Sequence, residues 1–263
     1  MPKPPSPNQK LFLYAIAPQC DGKILGAIGL DGGTVYSFTS GRVSAVISDV
    51  SEKLRPERRH LAAHQEVLKR LMADATGVLP VAFGVVVEGT EALRRILSHN
   101  QKTLLGQLRR VEGRVEMGLR VTWDVPNIFE YFVDTHPELR VERDRFLTGH
   151  REPSLNDKIE VGRLFDRLLT EDRDMHAERV EEILNPHCVE IKRNTPRNER
   201  EVVNLACLVE RSRDADFEAA IFEAAKLFDD SYAFDYSGPW APHNFVDLAL
   251  DLRGARAPER VRA

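Results

Sequence analysis

A chain of 263 residues with 42% hydrophobic side chains is long enough for one large domain or two of ordinary size, and apolar enough to form real cores. Its 37 Lys and Arg nearly balance 41 Asp and Glu, so the net charge of −4 supplies no global pull toward nucleic acid or an anionic membrane. Three cysteines, Cys20, Cys188 and Cys207, show no CxxC spacing and read as free thiols in a reducing compartment, not as a disulfide framework.

Residues 1–10, MPKPPSPNQK, lack the apolar stretch of roughly 7–15 residues that a secretory signal needs, and Pro2, Pro4, Pro5 and Pro7 predict a short extended tail. A first domain is expected over residues 11–112. It opens on the strand-like run Leu11–Ala17, followed by a turn-rich stretch from Gly22 to Gly33. The β-branched run Val43–Val50 forms a second strand. The spacing leaves no room for a crossover helix, so hairpin-type pairing is expected, with Thr34–Phe38 included. From about Pro56 to Ala73 a helix is predicted with Leu61, His64 or Gln65, Leu68, Leu71 and Met72 on its inner face. Val78–Val87 then reads as one buried strand interrupted by Pro80 and Gly84. Thr90 is placed to cap a helix carrying Leu93, Ile96 and Leu97, and the helical pattern runs on through Leu104, Leu105, Leu108 and Val111.

Gly113 marks the boundary to a second domain, residues 113–252. Val115, Met117, Leu119, Val121 and Trp123 alternate with polar or small residues, which only a strand with one buried face explains. A segment near 124–153 is too long for an ordinary strand-to-helix loop and reads as an insertion. Ser154 or Asn156 begins a long helix through Val161, Phe165, Leu168, Val180 and Leu184. Strands follow near Val189–Lys192 and Glu201–Glu210, then a helix from Phe217 to Phe228, then a strand with Tyr232, Phe234 and Tyr236. The order βαββαβ is the ferredoxin-like arrangement. The fold class is therefore α+β: an N-terminal mixed α+β domain and a C-terminal modified ferredoxin-like domain. Residues 253–263 are expected to form a basic flexible tail.

Few residues suggest chemistry. His60 and His64 stand one helical turn apart, as two metal ligands would, but without the general base of an HExxH motif. The blander expectation is an exposed His60 and a buried, hydrogen-bonded His64. Asp172 and His176 share that spacing within EDRDMH, where a solvated helix face is expected. The glycines from Gly22 to Gly33 form neither GxGxxG nor a phosphate loop, and Ser37, Ser40 and Ser44 lack a nucleophile elbow. No catalytic residue, cofactor or metal is assigned.

The segment SGPWAPHNFVDL, Ser237–Leu248, is the most distinctive of the chain. Gly238 and Pro239 stop a strand and Trp240 offers a large amphipathic surface. It closely resembles the terminal GPWPPY-F-type signature of the gas vesicle protein F/L family. VSAVISDV (Val43–Val50), HLAAHQEVLKRLM (His60–Met72) and VLPVAFGVVV (Val78–Val87) resemble that family in the same order. So do RVEMGLRVTWD (Arg114–Asp124) and NLACLVER (Asn204–Arg211). Family-signature positions are His64, Pro80, Phe83, Gly84, Gly238, Pro239, Trp240 and Phe245, with structural or partner-contact roles. Departures stand at Ala82 (commonly Arg), Val85 (usually Thr), Ala241 (Pro) and His243 (Tyr). The resemblance implies a non-enzymatic, cofactor-free accessory protein of gas vesicle formation, cytoplasmic and associated with gas vesicles. Its implied partners are the hydrophobic main shell protein and other gas vesicle accessory proteins, with no nucleic acid and no lipid membrane. The alternative is a small-molecule-binding regulatory module or enzyme on the ferredoxin-like half.

Overall fold

The computed structural model describes residues 9–20, 22–50, 57–147 and 154–248. Most of the proline-rich tail, the helix start near Pro56, the end of the 124–153 insertion and the basic tail 253–263 lie outside the described residues. The chain forms two compact units. One runs to Glu116 and resumes at Pro239, and the other is Met117–Gly238. The boundary expected at Gly113 falls just before this change. The terminal segment read as the end of the second domain instead belongs with the first unit.

In the first unit the strands are β1 (Lys10–Pro18), β2 (Ile24–Gly26), β3 (Val35–Ser40), β4 (Val43–Val50), β5 (Leu79–Pro80) and β6 (Val86–Glu88). They pair in the order β2-β3-β4-β1-β5, and β6 also pairs with β1. β1 runs antiparallel to β4, and β3 and β4 form the expected hairpin. β1 is buried from Leu11 to Ala17 because both its faces are covered, which is what a continuous apolar run without alternation requires. Leu11, Leu13 and Ile16 face a core built with α2 (Gly89–His99) and α3 (Gln101–Val111). Phe12, Tyr14 and Ala15 face a second core built on α1 (Arg58–Asp74). The switch of parity between Leu13 and Ile16 is a β-bulge at Tyr14, where the β1–β4 register shifts by one.

Three local expectations for this unit are corrected. Val78–Val87 is not one strand: Pro80 has no amide to continue a ladder, and Gly84 sits at φ +98°, so the chain bows out between β5 and β6. Thr90 caps nothing, since α2 begins at Gly89 and has no side-chain cap. The buried face of α1 is rotated, with His60 5% exposed and Leu61 45% exposed.

A second sheet, ordered β10-β7-β9-β8, is formed by β7 (Arg114–Trp123), β8 (Glu190–Arg193), β9 (Glu201–Glu210) and β10 (Tyr232–Trp240), all but the first three residues of β7 and the last two of β10 lying in the second unit. That is the fourth-first-third-second strand order of a ferredoxin-like sheet, with α6 (Leu155–Leu184) and α7 (Asp214–Ala225) as its two helices. Val115, Met117, Leu119, Val121 and Trp123 are all buried, as their alternation predicts. Ser154 starts α6 with a capping box, its Oγ accepting from Asp157 N while Asp157 Oδ2 accepts from Ser154 N. The insertion folds as α4 (Ile128–Thr135), capped by Asn127, and α5 (Pro137–Leu147).

Candidate functional site

Two of the signature positions, His64 and Phe83, meet in the first unit. The His64 imidazole is 3% exposed and ringed by Phe12, Tyr14 and Phe83, at centroid distances of 5.8, 5.6 and 5.7 Å. β1 supplies Phe12 and Tyr14 because the bulge keeps both turned toward α1. The bow between β5 and β6 supplies Phe83. It is pinned at both ends to β1, Val81 N donating to Tyr14 O (2.9 Å) and Leu13 N to Val85 O (3.0 Å). Tyr14 Oη accepts from Leu30 N and is bonded to Ser48 Oγ, each at 2.9 Å.

Burial pushes the His64 pKa down to about 4. The neighbouring His243 adds to the shift, and a hydrogen bond to the Val81 backbone opposes it. His64 is therefore neutral at pH 7, with Nε2 buried and without a hydrogen-bond partner. His243, on the return segment, is also held below the ordinary histidine value by desolvation. Next to it Asn244 is held by Glu116, whose carboxylate accepts the backbone N–H at 2.8 Å and Nδ2 at 2.6 Å. Ala241 closes on the His64 core, and Phe245 is 1% exposed. The result is a neutral aromatic cage whose core also takes in Ala241 of the terminal signature.

The remaining signature residues do other things. Pro80 lies opposite Ala15 in the sheet, and Gly84 permits the positive φ of the bow. Gly238, at φ +137°, and Pro239 occupy the end of β10. Trp240 is 45% exposed. Ala82, where the family commonly has Arg, is exposed on the bow.

The other candidate chemistry resolves into structure. His60 Nε2 lies 3.1 Å from Asp31 Oδ1 and is not aimed with His64 at a shared ligand. Ser37 Oγ donates to Cys20 O, Ser44 Oγ accepts from Cys20 N, and Ser40 Oγ meets Ser98 Oγ at 3.0 Å. Among the described residues no group of three or more His, Cys, Asp or Glu is placed to hold a metal ion.

One polar cluster of the second unit was missed by sequence reasoning. His176 is 7% exposed and not on a solvated face; its Nε2 lies 3.0 Å from Tyr232 Oη, which lies 3.3 Å from Tyr131 Oη. Asp172 instead meets His136 at 3.3 Å. Desolvation lowers the His176 pKa, with Asp172 opposing. The one available signal was the aromatic content of α4 and of the start of β10.

The family model described as gas vesicle synthesis protein GvpL/GvpF matches residues 10–247. Gas vesicle protein F of Dolichospermum flosaquae is 28% identical over 241 residues, covering 90% of this chain and 98% of that protein. Gas vesicle protein L1 of Halobacterium salinarum is 27% identical, with 89% of each chain covered. The crystal structure of the gas vesicle protein GvpF from an Anabaena strain superposes with a TM-score of 0.78 at 26% identity, covering 90% of this chain and 98% of that one.

Proposed function

This chain belongs to the GvpL/GvpF family of gas vesicle synthesis proteins, and from that premise we propose that it binds the hydrophobic main shell protein while gas vesicles form. The family gives it a role connected with gas vesicles; the choice of partner is our reading. The observation that carries it is the reach of the match, which runs through both compact units from residue 10 to residue 247.

A shell subunit that must later face gas exposes apolar surface, and such surface associates indiscriminately in water. A helper that covers it until delivery solves that problem without chemistry, so neither a catalytic group nor a cofactor is required. The protein then acts in the cytoplasm at the growing shell, as a transient chaperone or a minor shell component, alongside other gas vesicle accessory proteins. No helix among the described residues is long and apolar enough to cross a membrane.

The test is co-purification of the full chain with the main shell protein, co-expressed under conditions that keep the shell protein soluble. Retention of the shell protein through a high-salt wash is expected, because the contact is apolar. A folded chain that retains none of it would overturn the proposal.

A further inference from the structure

We propose that the outer face of α7 is a docking surface for a basic amphipathic helix of a partner protein. This goes beyond the shell-protein reading and does not rest on it.

α7 reads DADFEAAIFEAA and is apolar on two opposite sides. At 100° per residue Phe217, Ala220, Ile221 and Ala224 share one face, and all four are buried. Ala215, Ala219 and Phe222 lie on the reverse side, spaced by four and three residues, and all three are exposed. Phe222, in the C-terminal half of the helix, is 59% exposed on a face where an ordinary surface helix carries polar residues. On β10, Tyr236 is 40% exposed and its hydroxyl donates to Glu218, which sets a second ring beside this crest.

The rim states what would cover it. Glu218 flanks the crest on one side, and Asp216 and Glu223 flank it on the other, the last two already paired with Arg213 (3.2 Å) and Lys226 (2.6 Å), so the acidic excess of the face comes from the carboxylates around these pairs. Between Glu210 and Asp235 eight carboxylates face three cationic side chains. The stretch therefore carries −5 in a chain whose total is −4. A second copy of this chain is a poor occupant, because a two-fold contact would set acidic rim against acidic rim. Phosphate backbones and anionic lipid are repelled by the same field. The complement is a helix with a narrow apolar stripe bordered by Lys or Arg. Ala215 and Ala219, lacking bulk, let its backbone approach closely while Phe222 anchors it.

Two synthetic helical peptides with the same Leu/Ala stripe, one bordered by Lys and the other by Glu, are titrated against the full chain by fluorescence anisotropy. The Lys peptide binds, and affinity falls about tenfold as salt rises from about 0.05 to about 0.3 M. Phe222→Ser and the double change Glu218→Gln/Glu223→Gln each weaken it at least about tenfold, and hydrogen-exchange protection appears over Asp214–Ala225. Phe222 is exposed, so its replacement leaves the fold and the melting temperature unchanged. Equal binding of the two peptides, binding that survives Phe222→Ser, or protection confined elsewhere overturns the proposal. So does a concentration-dependent dimer that Phe222→Ser abolishes, which would assign the face to a second copy. Shell-protein capture is read in a separate assay, so either proposal can fail alone.

Discussion

A buried imidazole with no partner on one nitrogen ties stability to pH. Above pH 6.5 His64 is neutral in the folded and unfolded chain alike. As the pH falls from there toward about 4, the unfolded chain takes up a proton that the folded one refuses, and stability drops through that window. On the order of 2–3 kcal/mol is lost in this way. His243 and His176, both also lowered, add slope of the same sign. Comparing urea unfolding of the wild type with His64→Gln isolates the His64 share, since Gln keeps a donor for the Val81 carbonyl. The variant is expected to show a shallower decline between pH 6.5 and 4; parallel curves would mean that His64 is not desolvated. Sequence reasoning placed His64 inside but His60 outside. His60 is buried because Asp31 offers it a carboxylate from 29 residues away, at the non-glycine φ of +51°. Helical periodicity registers apolar side chains and is blind to such a partner. His176 escaped for the same reason, its partner Tyr232 lying 56 residues on.

Elements with strong periodicity were legible, and those defined by long-range polar contacts were not. β4 and β9 match their expected limits, and β7 shows the buried alternation that its sequence predicts. That alternation also predicts Glu116 on the wetter face, yet Glu116 is 8% exposed, because the return segment covers it and donates two hydrogen bonds through Asn244. Charge-assisted bonds of this kind are worth about 1.5–3 kcal/mol. Glu116→Gln places a side-chain amide donor among two donors, so a loss of about 1.5–3 kcal/mol in unfolding free energy is expected. The loss is local before it is global. Amides of residues 241–248 should exchange at least about tenfold faster, while those of α6 stay as they were. Unchanged exchange over 241–248 would show that the segment is held by packing alone.

At the scale of the whole chain the decisive feature is that the first unit is discontinuous, while Met117–Gly238 is continuous. Sequence order suggested two successive domains, since a chain read from left to right gives no sign that its last segment returns to the first. The return segment contributes Ala241 to the core under α1 and packs Val246 and Leu248 against the core under α2 and α3. Phe245 is buried almost completely. Removing a fully buried Phe costs about 3–5 kcal/mol by itself. A domain holds only about 5–15 kcal/mol in total, so loss of the whole segment consumes most of the first unit's margin. Truncation after Gly238 is therefore expected to unfold residues 10–116 and leave 117–238 folded, although the cut lies at the far end of the sequence. Hydrogen exchange reads this directly: protection should vanish from β1 and β4 and persist in β9 and α6. Protection lost from both units together would mean that they fold as one cooperative body, and protection kept in β1 would mean that the return segment lies on the core without completing it.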